Sequence, residues 1–231
     1  EHAISEWGKY ANLFVTHIIN LREKLNLAGQ SLCKVPKMYH HKPILLVEGE
    51  SERAFLNKLR ESHIAWFTDL RIEVYGGSGN THPKRIEMRL NKYNEDGYVC
   101  YMQGDKDGKE KGNFEKLIKK GTVNPENIFE FEHDFETSIP PKLLLKVLQN
   151  LGELIGVDPG EFSGFFDGNK SASEILLRQY NLDIKPLKIE IADETAWIIN
   201  NSNFRWHQDA NKFLEKEELG RFLDFIIKMN G

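Results

Sequence analysis

Ile44-Leu45-Leu46-Val47-Glu48-Gly49-Glu50-Ser51-Glu52 joins a strand signal to a helix start. Four apolar residues run straight into a carboxylate, and a glycine then leads to a second carboxylate four positions further on. A short continuous apolar run bounded by a turn reads as a strand buried on both faces, the kind found in parallel sheets. Gly49 permits close backbone approach and Ser51 reads as a helix N-cap, which puts Glu52 in a first helical turn. Acids there favour a helix N-terminus electrostatically. That accounts for Glu52, but not for Glu48 at the end of a buried strand. Two carboxylates at the mouth of a sheet repel one another unless a cation lies between them, and a divalent metal is the usual one.

Outward from this stretch, strands and helices alternate. Strands are predicted at 44–48, 70–75, 97–102 and 127–131, with helices at 51–61, 83–93, 114–119 and 140–151. This alternation specifies a parallel four-stranded sheet with helical crossovers. Functional loops in such sheets gather beyond the carboxyl ends of the strands. Upstream, Trp7, Tyr10, Phe14, Ile18, Leu21 and Leu25 recur at helical spacing, and a Pro/His/Lys stretch follows. Beyond Gly152 the pattern weakens, with helices at 170–180 and 209–229 and an irregular stretch between them. The expected organisation is an N-terminal helix and linker over 1–41, an α/β core over 42–152 and a C-terminal helical extension over 153–231.

Composition narrows the class. At 231 residues the chain can bury one good core. No apolar run approaches the ~20 residues a bilayer span needs, and no signal peptide is visible, so a cytoplasmic setting without membrane contact is expected. Cys33 and Cys100 match neither a zinc nor a redox spacing. The chain begins at Glu1 rather than methionine, as a processed chain or a fragment would. A net charge of −4 is not the basic balance typical of nucleic-acid binders. It excludes little, because metal ions held by an acidic site invert the local field and attract phosphate.

Two further acidic motifs follow strands. Asp105 and Asp107, in Gly104-Asp105-Lys106-Asp107-Gly108, are two apart in a loop and can face one pocket. A solvated turn would explain them if they stood alone; beside Glu48, each motif being fed by a strand, metal ligation explains them better. Glu132-His133-Asp134-Phe135-Glu136 follows the fourth strand. In an extended chain Asp134 and Glu136 share a side, and Glu136 is the favoured ligand for a second ion. The competing reading is an acid capping the helix at Pro140. Lys106, Lys109, Lys111, Lys116, Lys119 and Lys120 lie beside the Asp105 loop, either as phosphate contacts or as a solvated surface.

A glutamate after the first strand and an Asp-x-Asp after a later one resemble the Toprim domain, the metal-binding fold of topoisomerases, primases and several nucleases. Glu48, Asp105 and Asp107 carry the likeness. The Glu-Gly-Glu-Ser-Glu form, with Glu52, Phe55 and Leu56, is most similar to the overcoming-lysogenization-defect (OLD) nucleases, over roughly residues 42–180. The resemblance implies a nuclease that hydrolyses DNA with two Mg²⁺ or Mn²⁺ ions, in phage defence or DNA repair. Its ligands would be Glu48, Glu52, Asp105, Asp107 and Glu136. Glu48 and Asp105 would be catalytic, as would Lys170, the best match to the family's downstream lysine. OLD nucleases generally carry an ATPase domain, yet no G-x-x-x-x-G-K-[ST] occurs here, so an ABC-type ATPase domain or subunit is an expected partner. Nucleic acid and a second copy of the chain are the others. No tyrosine is placed for covalent, topoisomerase-type cleavage. The alternatives are a non-catalytic Toprim module that binds nucleic acid or an ATPase, and an endonuclease of structured RNA.

Overall fold

A computed structural model describes residues 42–61, 70–76, 83–106, 111–166, 169–201 and 218–229. The expected N-terminal helix and linker, Cys33, Asp107 and Lys109 lie outside them. Residues 41–231 form one compact unit.

The elements run β1 (Lys42–Val47), α1 (Glu50–Glu61), β2 (Arg71–Val74), α2 (Pro83–Glu95), β3 (Tyr98–Asp105), α3 (Lys111–Lys119), β4 (Ile128–Phe131), α4 (Phe135–Ser138), α5 (Pro141–Asn150), α6 (Pro159–Gly164), α7 (Ala172–Tyr180), α8 (Lys188–Asn201) and α9 (Glu218–Lys228). The four strands form one parallel sheet in the order β2-β1-β3-β4. This is the expected α/β architecture, a four-stranded parallel sheet flanked by helices.

Residues 44–47 of β1 are fully buried because both faces of the sheet are covered. Leu45 and Val47 point into one core with α1, α5, α7, α8 and α9, while Ile44 and Leu46 point into a smaller core with α2 and α3. Period-2 alternation thus buries every residue of the run instead of every second one. The chain goes from β1 to β2 on one side and then to β3 on the other. The carboxyl ends of β1 and β3 therefore flank a crevice at the topological switch point, and Glu48 and Asp105 stand at those ends.

The stretch read from the sequence as irregular contains α8, a 14-residue helix. Its inward face is made of Ile191, Ala192, Thr195, Ala196 and Ile199, whereas Ile189 and Trp197 are about half exposed. Small or β-branched residues inside and large apolar ones outside blur the amphipathic signal on which a sequence reading depends. Helix α8 packs against α1 and α5, and its Asn200 side chain donates to the Lys58 carbonyl at 3.1 Å. The segment beyond Gly152 thus packs against the helices that lead from the acidic motifs.

Candidate metal centre

Three walls meet at the crevice. The first is the β1–α1 turn. Glu48 follows the last residue of β1, and α1 begins at Glu50, so the residue preceding the helix is Gly49 rather than Ser51. Glu52 reaches back to accept the Gly49 N–H at 3.1 Å and the Ser51 hydroxyl at 3.2 Å. This is the glutamate half of a capping box. Glu52 is nevertheless 4% exposed, an unusual position for a carboxylate whose task is only to cap. Burial raises its pKa, against the pull of those hydrogen bonds and of Lys188.

The second wall is the end of β3. Gly104 packs so tightly that a Cβ there would lie 2.6 Å from the Phe114 ring and 2.8 Å from the Tyr75 hydroxyl. Asp105 follows it as the last residue of the strand. Tyr75 is fully buried and its hydroxyl donates to the Gln103 carbonyl, a packing and hydrogen-bonding role rather than that of a nucleophile.

The third wall is α4. The chain does not stay extended after β4. Asp134 caps α4 by accepting the Thr137 N–H at 3.0 Å, so the capping reading holds for Asp134, at a helix earlier than the expected one. Phe135 anchors this wall, its ring 5.0 Å from Phe55 and 6.1 Å from Phe131. Glu136 is fully buried. Its Oε2 accepts from Lys188 Nζ at 2.6 Å, while Oε1 is buried without a hydrogen-bond partner among the described residues.

Glu48, Glu52, Asp105, Asp134 and Glu136 line one pocket of about 350 Å³, together with Glu50, Lys185 and Lys188. Four of the five positions expected to ligate metal are therefore brought together, and the fifth, Asp107, lies outside the described residues. Lys170 is not brought in: it is exposed and does not line the pocket. Its neighbour Ser171 caps α7, and the Ala172 N–H donates to Thr137 Oγ1 at 2.7 Å. The 170–172 segment thus braces α4 from outside. The cation paired with these acids is the part-buried Lys188, the first residue of α8, 3.5 Å from Asp134 as well as 2.6 Å from Glu136. No motif surrounds Lys188; the helix that carries it was the one hidden by its own composition.

The electrostatics follow from this packing. Burial pushes Glu136 from 4.5 up to about 7, with Asp134 adding to the rise and Lys188 opposing it. Lys188 itself is raised: burial disfavours its charge, but Glu136, Asp134 and Glu52 together outweigh burial. One ammonium serves three carboxylates, and the pocket is left short of positive charge.

The donors are hard oxygens, and the orphaned Glu136 Oε1 is one that a cation would satisfy. Among the described residues no three His, Cys, Asp or Glu side chains stand close enough to hold an ion as they are. An ion suited to such a donor set would be a hard one of the Mg²⁺ kind. Such ions are bound through one or two carboxylates with waters and substrate phosphate completing the shell, not through an all-protein cage.

No family model matches the sequence, and no curated protein matches it. The C-terminal region of the Xanthomonas campestris pv. campestris OLD protein superposes with a TM-score of 0.50 at 14% identity, over 83% of this chain and 95% of that one. The fold is that of an OLD C-terminal region. The corresponding region of the Burkholderia pseudomallei OLD protein gives a TM-score of 0.46 at 12% identity, over 68% of this chain and 88% of that one. The fold neighbour at a TM-score of 0.50 is an OLD C-terminal region, the family that the Glu48–Glu52 stretch with Phe55 and Leu56 resembles. At these identities the likeness is one of fold, and activity rests on the site itself. No described helix is long and apolar enough to cross a membrane.

Proposed function

We propose that this chain is a divalent-metal-dependent nuclease that hydrolyses phosphodiester bonds in DNA. One observation carries the reading: six carboxylates at or just beyond the ends of β1, β3 and β4 line one pocket, with a part-buried lysine among them. A purely structural pocket would not concentrate so much like charge, since each buried carboxylate costs stability unless it is paired.

Glu48 and Asp105 would hold metal as the principal ligands. Asp107, Glu52 and the Oε1 of Glu136 would share the remaining positions. Two bound Mg²⁺ or Mn²⁺ ions supply activation of water and stabilisation of the leaving oxygen. Lys188, in place of Lys170, offsets charge that develops on the phosphate, from a position already fixed by Glu136 and Asp134. Lys185, exposed and lining the same pocket, faces the approaching backbone. Lys116 and Lys119 are exposed along α3, whereas Lys106 and Lys120 are held by Glu132 and Glu87. The basic surface beside the site is therefore thinner than the sequence count, and affinity for phosphate comes chiefly from the loaded site.

The OLD-type fold supports a partnership with an ABC-type ATPase, on another stretch or another chain, and a cytoplasmic role in phage defence or DNA repair. The deciding experiment incubates supercoiled plasmid and a matched structured RNA with the protein and Mn²⁺ or Mg²⁺. Cleavage of the DNA, abolished by Glu48→Ala and by Asp105→Ala, is expected. Cleavage that survives either substitution would remove the assignment. Preferential cutting of RNA would change the substrate, and metal binding without cleavage of either would make this a binding module.

A further inference from the structure

The β1–β3 ladder ends at Leu46 and Met102. Beyond that pair β3 runs on to Asp105, pairing with β4 alone, at Gly104 with Glu130 and at Asp105 with Phe131. The two strands that carry Glu48 and Asp105 thus part company before either acid is reached. The crevice opens there, and backbone hydrogen bonds no longer set the spacing of the two carboxylates.

A side chain crosses the gap. The Glu48 N–H, which has left the ladder, donates to Oε1 of Gln103 at 3.1 Å. Gln103 lies two residues before Asp105 and is fully buried. Its carbonyl accepts the Tyr75 hydroxyl at 2.9 Å, and the Tyr75 N–H in turn bonds to the Val47 carbonyl at 2.9 Å. Gly76 backs Glu48 from the opposite side: a Cβ there would lie 2.0 Å from the Glu48 carbonyl oxygen.

Stability does not explain the choice of glutamine. Its Nε2 is buried without an acceptor among the described residues, and an unpaired buried donor is costly. A leucine of similar size would avoid that cost, and Glu48, only partly buried, could turn its N–H to water. A buried polar residue with one unpaired donor, bridging the strand ends that carry two proposed ligands, is the pattern of a group retained for function.

We infer that Gln103 is a positioning residue that sets the distance between Glu48 and Asp105 across the open end of the β1–β3 ladder. The inference rests on Glu48 and Asp105 holding metal. Partners of this kind, acting one shell out from an ion, typically govern affinity or activity by on the order of 10–100-fold.

The test is Mn²⁺ and Mg²⁺ titration calorimetry on the wild-type chain, Glu48→Ala, Gln103→Leu and Gln103→Glu. Urea unfolding and hydrogen exchange of the Glu48 amide are followed in parallel. Gln103→Leu should bind Mn²⁺ at least about tenfold more weakly, expose the Glu48 amide to exchange, and unfold at the same urea concentration as wild type or a higher one. Gln103→Glu, which keeps an acceptor oxygen at the same reach, should restore Glu48 protection and much of the affinity. Gln103→Met is the second apolar variant should the leucine fail to fold. Wild-type Mn²⁺ affinity in Gln103→Leu, beside a loss in Glu48→Ala, would overturn the positioning role while leaving the metal site intact. Unfolding of both apolar variants would overturn it too, by making Gln103 structural. Equal binding by wild type and Glu48→Ala would instead remove the metal reading on which it rests.

Discussion

Glu136→Gln should flatten the pH dependence of stability in the metal-free chain. Burial lifts the Glu136 carboxyl from 4.5 to about 7, because the favourable contact with Lys188 does not fully offset desolvation. The native state therefore holds this proton more tightly than the unfolded chain does. The resulting stabilisation is complete below the unfolded pKa near 4.5 and is lost as pH rises through about 7. A rise of about 2.5 units corresponds to about 3 kcal/mol in total, of which about 2 kcal/mol falls between pH 5.5 and 8.5. The other charged groups at this carboxyl do not change the sign. Lys188, held above its ordinary value, keeps its charge throughout this window, and Asp134 adds repulsion. Urea unfolding in EDTA at pH 5.5, 7 and 8.5 provides the measurement. Wild type should lose about 2 kcal/mol relative to Glu136→Gln across that range, and Mg²⁺ should recover most of the loss at pH 8.5 by satisfying the ionised carboxylate. Parallel pH profiles for the two proteins would refute the reasoning, since they would mean that Glu136 titrates alike when folded and unfolded.

Further outcomes follow from the same geometry. Lys188→Met should lower kcat by about 10²-fold and cost stability at pH 8 more than at pH 5.5, where Glu136 takes up a proton; Lys170→Met should leave both unchanged in plasmid cleavage and urea assays. Gly76→Ala should abolish Mn²⁺ binding in calorimetry, because its Cβ would overlap the Glu48 carbonyl, and should cost about 1–3 kcal/mol in urea unfolding. The charge reversal Lys116→Glu with Lys119→Glu should raise KM and lower the slope of log affinity against log salt while kcat at saturation holds. A slope equal to that of wild type would place the DNA backbone elsewhere.

Much of the fold was legible in the chain. Residues 44–47 announce a strand buried on both faces, and the alternation of strands with helices of crossover length allows little but a parallel sheet. Glu48, Glu52 and Asp105 were legible because each follows a strand or opens a helix, where local pattern locates a residue to within a position or two. What local pattern misses is the third dimension. Glu136 was one of two acids in an assumed extended segment, until Asp134 capped a helix and Phe135 seated it against Phe55 and Phe131. Lys170 follows from the family resemblance alone, whereas Lys188 opens a helix whose inward face is alanine, threonine and isoleucine.

Local pattern in the chain set which residues could be strands, which acids would stand at strand ends, and hence that an acidic crevice would exist. These are consequences of period, burial and turn chemistry, all short-range along the chain. Which cation answers those acids, and which side chain bridges the Glu48 and Asp105 strands, came from packing. Lys188 lies 52 residues from Glu136, and Gln103 lies 55 from Glu48. A contact over such separations is made by packing one element on another, and no local pattern in the chain records it.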